Sequence, residues 1–314
     1  MDVRQSKRIL CALLAATVVA CGGAAPVTSA PTPTATIHYT PEPTEAPRAT
    51  VVPRATEVSA PIAPIAPPAP DYTALPVAEN NPAALARQIV LVESGLRDPD
   101  VTGAQLKWLG HLQQLTYGRL ADYPEWREGV LAALPTAFRG AVANALEAGD
   151  QLRTMHGAIP KVLPDWKIVE AAPIEDLMSY YKEAQAQFGV PWYYLAAIHL
   201  VETRIGRIRG LSSAGAQGPM QFMPATWAMY GRGDINDTHD AILGAARYLV
   251  AAGAPGNMPK ALFAYNHSQA YVNALIDYAD VMKSDPAAYR GYHGWQVYYP
   301  TTDGPILMPV GWTK

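Results

Sequence analysis

Cysteine is scarce in this 314-residue chain: there are two, Cys11 and Cys21, and both lie before any segment that reads as folded. Thiol nucleophiles, thiolate metal sites and a disulfide framework are therefore excluded, and the fold must be held by packing. Charge is scarce as well, at 16% of residues, and the formal net charge is only -3. So mild an acidic balance argues against nucleic acid as a partner. The apolar run from Ile9 to Ala20 is too short to span a membrane. No H-E-x-x-H pattern accompanies any histidine, and strand-length alternation is absent from residues 172–288. Acids are missing where chemistry is otherwise suggested, with no Asp or Glu between Thr203 and Gly233.

What is present begins with Arg4, Lys7 and Arg8 ahead of that apolar run, the layout of a signal peptide over residues 1–20. Val18-Val19-Ala20-Cys21 resembles a bacterial lipobox, so cleavage before Cys21 and lipidation of its sulfur are expected. Loss of Asp2, Arg4, Lys7 and Arg8 takes the formal charge from -3 to -5. Residues 21–80 then read as a lipid-anchored tether. From Pro26 to Pro82 there are fourteen prolines and nine threonines, with two tyrosines as the only aromatics, too little apolar surface to fold. At about 3.1 Å per residue, a polyproline-like stretch from Pro26 to Pro70 reaches on the order of 140 Å.

Helical periodicity starts at Asn81-Pro82, a cap followed by a first-turn proline, with Leu85, Ile89, Val92 and Leu96 on one face and Asp98-Pro99 as the stop. Thr102 and Gln105 fit a capping box for a second helix, and segments from Pro124 to Leu134 and Thr136 to Met155 complete a small bundle over 81–156. His111 and His156 read as surface or packing residues, since neither has a second ligand at metal spacing. Residues 157–171 form a connector. A mainly α domain follows at 172–288, with Asp240 expected to cap one of its helices and Ser268 another. Residues 289–314 form a strap or hairpin.

Chemistry concentrates between Pro191 and Pro224. Pro191 suits a first helical turn, and Trp192, Leu195 and Ile198 recur at helical spacing, which puts Glu202 in the last turn of a largely buried helix. Apolar surroundings and the negative end of the helix dipole both disfavour its ionised form, so its pKa is expected above the ordinary value of about 4.3. A carboxylic acid still protonated near neutral pH is a proton donor. His199 lies one turn before it. Asp234, Asp237 and Asp240 are explained by helix capping and loop solvation. Arg204, Arg207, Arg209 and Arg232 read as a solvated basic loop. Trp227 and Tyr230 either stack on a sugar or fill the core.

Five motifs in order carry a family resemblance: Val201-Glu202-Thr203, Gly206-Arg207, S-x-A-G-A from Ser212 to Ala216, Q-F-M-P from Gln221 to Pro224, and Y-N-H-S from Tyr265 to Ser268. Over roughly residues 172–283 the chain resembles the membrane-bound lytic murein transglycosylases of the B type and, more distantly, the soluble lytic transglycosylase domain and goose-type lysozyme. The resemblance implies a lysozyme-like fold and cleavage of the bond between N-acetylmuramate and N-acetylglucosamine in peptidoglycan. It implies Glu202 as acid and then base, with a 1,6-anhydro product. It also implies Ser212, Gln221, Tyr265 and Asn266 as substrate-binding residues, with Tyr265 hydrogen-bonded to the glutamate. A transglycosylase of this kind needs no second carboxylate, unlike most glycoside hydrolases. B-type enzymes carry an acidic calcium loop, but Gly231 to Asp237 lacks the glycine and distal glutamate of an EF-hand. No metal and no cofactor are expected. The partners expected are a glycan strand and, through Cys21, a membrane, for a monomer facing the cell wall. Two other readings stay open, a hydrolytic muramidase of the same fold and a non-catalytic peptidoglycan-binding lipoprotein.

Overall fold

The computed structural model describes residues 71–155, 157–159 and 162–314. The signal peptide, the lipidation site at Cys21, the tether to Pro70 and His156 lie outside the described residues. Among those described, the chain is mainly helical, as the sequence pattern predicts.

Four helices come first: α1 (Pro82–Arg97), α2 (Gly103–Asp122), α3 (Arg127–Ala133) and α4 (Thr136–Thr154). Helix α1 starts as expected, the Asn81 side chain accepting from the amides of Ala83 and Ala84 while Pro82 occupies the first turn. Helix α2 does not use its expected capping box, because Thr102 makes no side-chain cap bond. A carboxylate is buried in this layer. Glu93 of α1 is 1% exposed and accepts from Arg97, Gln113 (2.9 Å) and Tyr117 (2.6 Å), which meets the rule that a buried charge must be paired and hydrogen-bonded. Gln113 in turn accepts from the Trp295 indole at 3.0 Å, so the network ties residues about 200 positions apart.

Seven further helices follow: α5 (Ile174–Phe188), α6 (Trp192–Thr203), α7 (Pro224–Tyr230), α8 (Thr238–Ala252), α9 (Met258–Tyr265), α10 (Gln269–Ser284) and α11 (Ala288–His293). Ser268 caps α10 through the Tyr271 amide, as expected. Helix α8 is capped three residues earlier than the sequence suggests: Asp237, not Asp240, accepts from the first-turn amide, that of Asp240 itself. One hydrophobic core runs from Ala78 to Trp295 and includes residues of both the amino-terminal helices and the later ones. Helix α10 packs against both α4 and α6.

Four short strands make two antiparallel pairs. Strand β1 (Lys167–Ile168) pairs with β2 (Ile208–Arg209), and β3 (Val297–Tyr299) pairs with β4 (Ile306–Met308) in the register Val297 to Met308. The Ile168 amide and carbonyl bond Trp312 and Gly311, so the chain's end covers the open edge of β1. Trp166, Ile168, Ile208, Val297, Tyr299 and Met308 form a second small core there. No helix among the described residues is long and apolar enough to cross a membrane.

Candidate active site

Helix α6 is apolar almost all round, and Leu195 through Val201 are buried without a break. The preceding helix stops at Gly189 in the left-handed conformation, and Pro191 then sets the extended entry. At its other end α6 stops on three consecutive left-handed residues, Arg204, Ile205 and Gly206. For the β-branched Ile205 this is a costly conformation. It is held by Arg204 N to Leu200 O at 3.1 Å, Ile205 N to His199 O at 2.9 Å, and Gly206 N to Thr203 Oγ1 at 3.0 Å. The same Thr203 hydroxyl donates to the Pro219 carbonyl at 2.5 Å, clamping the helix end to the next loop.

That loop is shaped by hydrogen bonds its own side chains make. Ser212 Oγ accepts from the amides of Ala214 (3.2 Å) and Ala216 (2.9 Å), folding S-x-A-G-A into a tight turn. Gln217 and Phe222 exchange two backbone bonds of 2.8 Å around a second turn. Only glycine fits at Gly218, where φ is +72° and a Cβ would fall 1.9 Å from the Ile235 carbonyl oxygen. Gln221 is also left-handed, with its amide group donating to the Gly218 carbonyl at 3.0 Å. A non-glycine residue held in that conformation beside a cavity is the kind of strain that collects at functional sites.

Glu202, Gln221, Tyr265 and Asn266 all line one cavity of about 140 Å³. Ser212 does not line it; its side chain organises the loop behind. The cavity wall carries Phe222, Tyr248 and Tyr265, whose rings contact one another. The Tyr230 ring meets that of Tyr248 at a tilt, 5.0 Å between centroids. Trp227 is packing: its ring sits where a Cβ on Gly231 would come within 2.1 Å and one on Gly244 within 2.7 Å.

The partner of the acid is a residue the motifs do not announce. Tyr271 of α10, fully buried, donates its hydroxyl to Glu202 Oε1 at 2.6 Å. Tyr265, expected in that place, instead donates to the Met220 carbonyl at 2.7 Å and so supports the Gln221 turn. Burial pushes the Glu202 carboxyl up to about 7, with the Tyr271 hydrogen bond acting the other way. Burial and the neighbouring Glu202 charge raise both tyrosines well above their ordinary value, so they remain donors. His199 does not touch the acid. It is wholly buried, bonded through Nδ1 to the Tyr181 hydroxyl at 2.7 Å, and burial pushes its pKa down to about 3.

None of Asp234, Asp237 and Asp240 lines the cavity. Asp240 accepts from the Asp234 amide and Asp234 from the Asn236 amide, each at 2.9 Å, so these carboxylates hold the loop before α8. Asp237, His239 and Asp240 can bring one ligand atom each within 4.8 Å. Their geometry is already accounted for by backbone capping and by the 2.9 Å bond from His239 to Glu183. The basic loop is a correction to the sequence reading. Arg204 and Arg207 are buried, Arg204 over the Trp295 ring at 5.6 Å and Arg207 donating to the His293 carbonyl at 3.0 Å.

The central segment has recognisable relatives among known proteins. Residues 179–285 match the family model of the Transglycosylase SLT domain, which spans Glu202 and all four expected binding residues. A protein named membrane-bound lytic murein transglycosylase F, from Thiobacillus denitrificans, is 28% identical over 48% of this chain. The match spans 36% of that protein's length. No solved structure matches significantly. The lytic transglycosylase superfamily expected from the motif order is thus borne out.

Proposed function

Starting from a chain whose residues 179–285 match the Transglycosylase SLT domain, we propose that it cleaves peptidoglycan by the single-acid route. Glu202 protonates the glycosidic oxygen as the bond from muramate C1 breaks. The carboxylate left behind then takes the proton of the muramate 6-hydroxyl, whose oxygen closes on C1. The products are a 1,6-anhydromuramate end and a free N-acetylglucosamine 4-hydroxyl, and no water is consumed. The observation that carries this reading is the lone carboxyl: among the described residues lining the cavity Glu202 is the sole acid, and it is held near pKa 7. At neutral pH such a group is present in both forms, which a residue acting first as acid and then as base requires.

The surrounding side chains suit a sugar. Asn266 and Gln221 offer neutral amides, which hold hydroxyl and N-acetyl groups without forcing the acid to ionise. Tyr271 fixes the carboxyl's orientation and Tyr265 fixes the Gln221 turn. Ser212 acts through its loop: its oxygen gathers the amides of Ala214 and Ala216 and so holds the turn that backs the cavity. The protein acts as a monomer outside the cytoplasm, anchored by lipid at Cys21.

Digestion of purified peptidoglycan followed by mass spectrometry tests the reaction. Muropeptides lighter than hydrolysis products by one water, with anhydro ends, are the expected result. Reducing ends alone would make the protein a muramidase, and no release at all would make it a wall-binding lipoprotein.

A further inference from the structure

The rim of the cavity carries one feature that the single-acid chemistry does not use. His267, immediately after Asn266, lines the cavity and is exposed. Its ring meets that of Phe263, one helical turn earlier, edge to face at 5.6 Å and 71°. Phe263 is itself 42% exposed, although α9 buries Ala261 and Leu262 beside it. No hydrogen bond among the described residues engages the His267 ring. The pair therefore forms a ledge continuous with the cavity, with an apolar ring face and an unspent imidazole.

Its chemistry differs from that of the cavity proper. Inside, the amides and tyrosine-rich wall match the hydroxyls and ring faces of a sugar. On the ledge there is no amide or hydroxyl, only a hydrocarbon ring beside a nitrogen donor. Resting on the function proposed above, we infer that the Phe263–His267 ledge holds the peptide stem that projects from the muramate at the Glu202 site. Phe263 covers an apolar part of the stem, such as an alanine methyl, and His267 donates to one of its carbonyl or carboxylate oxygens. The ledge is then a specificity element, favouring peptide-bearing strands over bare ones.

The test compares wild type, His267→Ala, Phe263→Ala and His267→Gln on two substrates: peptide-bearing strands, and the same strands stripped of stems by an amidase. Each alanine variant should lower kcat/KM on peptide-bearing strands by about tenfold, mainly through KM, while stripped strands react within about twofold of wild type. His267→Gln, which keeps a donor, should recover part of the loss. Equal losses on both substrates, or no loss on either, would overturn the inference. The two readings fail separately: wild-type products without anhydro ends sink the transglycosylase reading, yet the ratio between the substrates still judges the ledge. If wild type cleaves neither, co-sedimentation with the two kinds of strand gives the same ratio as a binding measurement, and equal binding by wild type and His267→Ala overturns it.

Discussion

Replacing Glu202 by glutamine should stabilise the protein, and by an amount that depends on pH in a way the site dictates. The carboxyl titrates near 4.5 in the unfolded chain and about 7 in the fold. Below pH 4.5 it is protonated in both states, and its contribution to stability is fully present. Between 4.5 and 7 the unfolded chain releases the proton while the folded one keeps it, so stability falls as pH rises. Above 7 the loss is complete. A gap of this size corresponds to about 3 kcal/mol, an upper bound because the carboxyl reaches a cavity that water can enter. Glutamine keeps an oxygen to accept from Tyr271 and does not titrate. The stability of the variant minus that of wild type should therefore grow by about 1–3 kcal/mol from pH 4 to pH 8.5. Urea denaturation followed by tryptophan fluorescence at several pH values measures it, since all other titrating groups cancel in the difference. A difference that stays flat across that range, or that shrinks, would mean that Glu202 is solvated like a surface acid, and the mechanism built on its raised pKa would go with it.

Four further outcomes follow from the same geometry. Glu202→Gln should lower the chemical step by at least the roughly 10²- to 10⁴-fold typical of a lost general acid, with strand binding by co-sedimentation nearly unchanged. Tyr271→Phe removes the bond that favours the ionised carboxylate, so the Glu202 pKa should rise further and the alkaline limb of the pH–rate profile should move to higher pH; a limb that stays put or falls would contradict the assignment. Asp237→Ala should cost about 1 kcal/mol of stability through loss of the α8 cap while leaving turnover intact, and prolonged EDTA treatment should leave it intact too, with calcium-restored activity as the contrary result.

The acid and the helices were legible in the sequence for reasons of local physics. An apolar helix ending on a lone glutamate needs no tertiary information to look costly, and Asn81 and Ser268 announce their helices by chemistry alone. Tyr271 lies at helical spacing with Leu275, Tyr278 and Met282, all buried in α10. Periodicity reports that a tyrosine faces the core, but not that its hydroxyl ends 2.6 Å from a carboxylate 69 positions away. Arg204 and Arg207 misled for the converse reason: a run of arginines in a loop reads as solvated, and their partners at Trp295 and His293 lie some ninety residues downstream. Strands of two or three residues have no alternation to detect, which is why β1 was hidden in a connector. The shift of the α8 cap from Asp240 to Asp237 reflects two aspartates equally able to begin a helix, with the choice made by the Asp234 amide that claims Asp240.

The packing of α10 against both α4 and α6 bears on how this chain can be cut or recombined. Eight of its sixteen residues are buried, from Tyr271 to Met282, where the helix packs against both α6 and α4. The stretch that matches the transglycosylase family is thus a slice through a shared interior and not a detachable module. Expressed without the amino-terminal helices, it would present the α4-facing side of α10 to water as a continuous apolar strip, a surface prone to self-association. Substitutions on α4 would be transmitted along the same helix to the hydroxyl that orients Glu202. Moving the family-matched segment into another protein therefore requires carrying residues far outside the match, and variation among the amino-terminal helices becomes a means of adjusting an acid they never touch.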